Sequence, residues 1–139
     1  MILTLILSSV FFILALIHFN WVVGGSFGFA ASLPTTVTGE RMLNPKKMDS
    51  AIVGLGLTAF GLFYLIKADL IDIPLPLWIF TVGSWLIPAI FLIRAIGEFK
   101  YVGFFKRIKT TDFARLDSKL FSPLCLIIAV LGVLIHVLN

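Results

Sequence analysis

The stretch from Ile2 to Gly24, ILTLILSSVFFILALIHFNWVVG, carries no charged side chain. About 20 apolar residues take a helix across the roughly 30 Å hydrocarbon core of a bilayer, so this run is long enough to span one. Backbone polar groups cannot stay unpaired in lipid, which makes the run a helix rather than a strand. No Lys or Arg precedes it, and it is too long for a signal-peptide core. It therefore reads as a first membrane span and not as a cleaved leader.

Outward from this run the same reasoning gives four spans, at about 2–24, 50–67, 77–97 and 119–138. Asp49 and Ser50 are placed to cap the second, and Pro74 and Pro76 break the chain before the third. Asp117 or Ser118 is placed to cap the fourth, with Pro123 in its first turns. The 139 residues are 60% hydrophobic and 13% charged, with a mean hydropathy of +1.10. Soluble domains run to about 45–50% apolar and about 25% charged residues, so a water-soluble domain and a disordered chain are excluded. No nucleic-acid-binding motif accompanies the formal net charge of +4, and no nucleic acid partner is expected. With no internal repeat, the expected architecture is all-α: one four-helix transmembrane bundle over residues 1–139.

Orientation follows from Lys and Arg. Arg41, Lys46, Lys47, Arg94, Lys100, Lys106, Arg107, Lys109, Arg115 and Lys119 fall in or beside the first and third loops, and only Lys67 falls at the other side. The positive-inside rule then puts both loops in the cytoplasm and both termini outside. In the third loop, Phe104, Phe105 and Ile108 lie at helical spacing among basic residues. That pattern predicts an amphipathic segment lying flat in the headgroup layer, with Lys100, Lys106, Arg107 and Lys109 as lipid-headgroup contacts.

Helices in lipid associate through small residues and a few polar contacts. Each span has such a face: Thr4, Ser8, Ala15 and His18; Ser50, Gly54, Thr58 and Gly61; Thr81, Ser84, Pro88, Ala95 and Glu98; and Ser118, Ser122, Cys125, Ala129, Gly132 and His136. Ionisable residues beside a span are costly to bury and point to function. His18 and Arg94 fall at similar depth, and Glu98 follows Arg94 by four residues, a spacing that pairs them along one helix face. His18, Asn20, Trp21, Glu40, Arg41, Arg94 and Glu98 are thus the expected ligand-binding cluster beneath the cytoplasmic interface. Arg offers a planar fork for phosphate or carboxylate, and His exchanges a proton near pH 7.

The single cysteine, Cys125, excludes an intrachain disulfide and a Cys-based zinc cluster. The two histidines, His18 and His136, fall at opposite ends, which argues against a shared metal or haem site in one subunit. No cofactor is expected.

The chain resembles a family of small four-helix bacterial membrane proteins catalogued only as a domain of unknown function. The resemblance rests on His18-Phe19-Asn20-Trp21 with Gly24-Gly25 and Leu33-Pro34, and on the run from Arg94 to Lys106. Phe113-Ala114-Arg115-Leu116-Asp117 and Phe121-Ser122-Pro123-Leu124-Cys125 complete it. It implies a multi-pass architecture in a bacterial inner membrane and no known reaction. The leading functional expectation is a protein that binds, or helps to transport, an amphiphile with an anionic head, its partners being anionic membrane lipids. Transport through so small a bundle implies a homo-oligomer. One alternative is a lipid-modifying enzyme using His18 and Arg94, against which stands the lack of a nucleophile elbow, an HExxH motif or paired carboxylates. Another is a non-catalytic assembly partner in a membrane complex.

Overall fold

The computed structural model describes residues 2–38, 40 and 46–138. Helix α1 is Ile2–Val22, α2 is Lys47–Lys67, α3 is Leu77–Ile96, and α4 is Asp112–Leu138. All four are long and apolar enough to cross a membrane. The described residues are otherwise loops, with one short 3-10 turn at Ala30–Ser32. The chain is a multi-pass, all-α membrane protein by helix length and hydropathy.

The helices pair in chain order, α1 against α2 and α3 against α4, with thinner contact between the pairs. Small residues set the spacing. A Cβ on Gly61 would stand 2.8 Å from the Phe12 ring, and one on Gly132 would stand 2.5 Å from the Pro88 ring. Between the pairs lies an aromatic core, where Phe11 stacks on Tyr64 at 5.9 Å and tilts against Phe91 at 5.4 Å. The faces expected to turn inward do so at Thr4, Ser8, Ala15, Ser50, Gly54, Gly61, Ser84, Pro88, Ala95, Ser122, Ala129 and Gly132. Thr81, Glu98 and Ser118 are the exceptions: all three are exposed, and the Thr81 hydroxyl donates back to the Leu77 carbonyl.

Two expectations near α4 are corrected. Its helix begins at Asp112, seven residues before the predicted span, because Thr111 caps it by accepting the Ala114 amide at 3.0 Å. Asp117 is therefore no cap. It lies more than a turn inside the helix, at the start of a π-helical turn over Asp117–Phe121 in which the Ser122 amide reaches back to the Asp117 carbonyl. Pro123 has no amide for the Lys119 carbonyl and its ring crowds that group, and the widened turn falls on these residues.

The second correction concerns residues 97–111, which form no amphipathic helix. Gly97 and Gly103 both take positive φ, +85° and +90°. There the chain folds back so closely that a Cβ on Gly97 would strike the Val102 carbonyl oxygen, and one on Gly103 the Ile96 carbonyl oxygen. The Phe104 amide then donates to Ala95 at 2.7 Å, satisfying a carbonyl at the end of α3.

Candidate functional site

The first and third loops, with the helix ends they join, form one end of the bundle, here termed the basic end. Within it Asp117 is the focus. Its carboxylate is fully buried and accepts from three donors: Arg94 Nη2 at 2.9 Å, Lys106 Nζ at 3.2 Å and the Gly103 amide at 2.7 Å. Lys106 also donates to the Gly103 carbonyl at 2.9 Å and to Ser118 Oγ at 2.6 Å. Three parts of the chain, α3, the 97–111 loop and the π-turn of α4, thus converge on one carboxylate. Two cations meet one anion, and Arg94 Nη1 is buried with no acceptor among the described residues. The Arg94 side chain as a whole keeps about a third of its surface exposed, 33%.

This geometry redistributes the sequence-predicted residues. Arg94 pairs with Asp117, 23 positions on, and not with Glu98. Lys106, expected at lipid headgroups, has a side chain only 1% exposed and is an internal ion. The surrounding Lys100, Arg107 and Lys109 are exposed, as are Phe99, Phe104 and Phe105. Glu98 serves its own loop, accepting the amides of Lys100, Tyr101 and Val102. Those amides, Tyr101's foremost, hold the Glu98 carboxyl below its usual value, against a smaller opposing effect of desolvation. A carboxylate lowered on folding stabilises the loop above the ordinary Glu range, and this is lost as pH falls through the lowered value. The Tyr101 amide proton shift is accordingly expected to titrate with a midpoint below that of a free Glu, and to stay flat in Glu98→Gln. NMR of the detergent-solubilised protein checks this, and a flat profile in the parent would remove Glu98 as the acceptor.

At the end of α1 a second group forms. His18 Nδ1 donates to the Leu14 carbonyl at 2.8 Å, and its ring lies 4.6 Å from Trp21. Trp21 Nε1 donates to the Phe27 carbonyl at 2.6 Å, while Asn20 Oδ1 accepts the Phe27 amide at 3.3 Å. These contacts fasten the glycine-rich loop, whose Ala30–Ser32 turn lies beside the first turn of α4. Glu40 joins neither group: its main chain bonds Thr36 and its side chain is exposed. Arg41 lies outside the described residues.

Between Trp21, Gly25, Phe29, Lys46, Lys47 and Ser50 lies a cavity of about 210 Å³. Of its residues only Trp21 was expected. Lys46 and Lys47 read from sequence as topology charges alone, and Asp117 as a cap.

A family model described as a protein of unknown function, DUF3995, matches residues 11–132. The chain belongs to that family. The matched span runs from within α1 to within α4, and it contains the whole Asp117 group and every residue lining the 210 Å³ cavity. No curated protein and no solved structure matches the chain.

Proposed function

We propose that this membrane protein binds an amphiphile with an anionic head at its basic end, holding it or helping to transport it. In this reading the basic end faces the cytoplasm of a bacterial inner membrane, as the distribution of Lys and Arg favours. The observation that carries it is the charge surplus at Asp117: two cations share one carboxylate, and Arg94 Nη1 lacks an acceptor. An unpaired buried donor on a charged group costs more than a neutral one, and an anionic headgroup supplies the missing acceptor. Exposed Lys100, Arg107 and Lys109, interleaved with Phe104 and Phe105, suit the layer where charged heads meet acyl chains. The enzyme reading is less well supported, since His18 and Arg94 are each engaged elsewhere, by the Leu14 carbonyl and by Asp117.

The test is thermal stabilisation by an anionic phospholipid against a zwitterionic one. The parent is expected to gain stability from the anionic lipid alone, and Arg94→Ala to lose most of that gain while Arg94→Lys retains part of it. Equal stabilisation of parent and Arg94→Ala would overturn the reading.

A further inference from the structure

The cavity at the α1–α2 end takes no part in the Asp117 group, and its lining has a chemistry of its own. Lys46 and Lys47 stand at the start of α2, and both are exposed. The first amides of a helix have no intrahelical acceptor and carry the positive end of its dipole, so this end of a 21-residue helix favours an anion. One carboxylate competes there, that of Asp49, and it is already engaged by the Lys46 amide at 2.8 Å. Ser50 supplies an independent sign of a ligand. It lines the cavity, it is 6% exposed, and its hydroxyl has no hydrogen-bond partner among the described residues. A hydroxyl that lines the cavity without a partner is free to donate to a ligand there.

The opposite wall is rigid and apolar. Trp21 is fixed through Nε1 to the Phe27 carbonyl and packs edge-to-face on Phe29 at 5.4 Å. Gly25 contributes backbone alone, since a Cβ there would strike the Asn20 side chain. A space of about 210 Å³ has room for one small anionic group. Two lysines, the start of a helix and a serine lining one small space match a tetrahedral oxyanion with several acceptor oxygens.

We infer that the cavity bounded by Trp21, Lys46, Lys47 and Ser50 is a binding site for a phosphate group, carried either by a phosphomonoester lipid headgroup or by a free phosphate compound. Lys46 and Lys47 bring the charge, Ser50 donates to a phosphate oxygen, and Trp21 covers the group. The site is separate from Arg94 and stands or falls apart from it.

The test uses the full chain with Trp78→Phe and Trp85→Phe, so that Trp21 is the remaining tryptophan. Its emission is followed on titration with inorganic phosphate, with glycerol phosphate, and with phosphatidylcholine nanodiscs containing or lacking phosphatidic acid. A saturable change is expected, at least about tenfold weaker in Lys46→Gln/Lys47→Gln, the loss of a charge-assisted contact, and also weakened in Ser50→Ala. Lys119→Gln, at an exposed lysine outside both groups, is expected to titrate like the parent. A response to phosphatidic acid alone assigns the site to a lipid headgroup, and a response to the soluble phosphates assigns it to a free compound. No response to any probe, or equal titration of the parent and the Lys46→Gln/Lys47→Gln variant, would overturn the site. An equal loss in Lys119→Gln would overturn it too, by showing diffuse attraction to the whole basic end.

Discussion

Asp117→Ala is expected to lower stability in mild detergent by about 3–5 kcal/mol, the usual cost of removing one partner from a buried ion pair. The loss is large because of what stays behind. Lys106, with a side chain 1% exposed, keeps only the Gly103 carbonyl and Ser118 hydroxyl, and the Gly103 amide loses its acceptor. Arg94 has room to turn outward, since a third of its side chain is exposed, but Lys106 must drag the loop with it to reach water. Tryptic cleavage after Lys106, shielded in the parent, should therefore appear alongside the fall in melting temperature. Asp117→Leu combined with Lys106→Met should recover at least about half the loss, because an apolar pair has no desolvation penalty to offset. If Asp117→Ala melts like the parent and hides Lys106 equally well, the carboxylate does not hold this end together.

Gly97→Ala is the second large effect. The residue sits at φ +85°, and its added methyl would meet the backbone oxygen of Val102, which has no rotamer by which to move away. Strained backbone and overpacking each cost about 1–3 kcal/mol, so about 3 kcal/mol or more in total is expected. The damage should centre on the loop: cleavage after Lys106 appears, while α1 and α2 keep their mutual packing. Gly56→Ala is the matched control, since a Cβ there meets nothing within 4 Å and φ is ordinary for a helix. It should be neutral or stabilising by up to about 1 kcal/mol. Melting curves of the two variants side by side decide the matter, and equal behaviour would show that the fold-back at Gly97 is not tight.

Both predictions rest on features that the sequence disclosed unevenly. The four helices are plain in it, because long charge-free runs have one stable form in lipid. Their inward faces are plain for a related reason, since small residues mark where helices approach. The loop is another matter. Phe104, Phe105 and Ile108 carry helical spacing, yet Gly97 and Gly103 turn the chain back, and a periodic pattern does not register two backbone bends. Arg94 looked paired with Glu98 because four residues is a helix repeat, whereas its real partner lies 23 positions away with no periodic signal between them. The true start of α4 was legible in Thr111-Asp112, a cap with an acid in the first turn, but Asp117-Ser118 offers the same chemistry nearer the apolar run. Lys46 and Lys47 served as topology markers, and their shared wall with Trp21 and Ser50 exists only once α1 and α2 are side by side.

The pairing of helices in chain order also bears on how the protein is made. Each pair is a hairpin contiguous in sequence, so the first can assemble before the second has been synthesised, and chiefly local contacts favour rapid assembly. In the second hairpin Arg94 and Lys106 both precede Asp117 in the order of synthesis. The two cations are therefore made before the carboxylate that pairs them, and the pairing ties the hairpin shut at the end where the chain has just turned back.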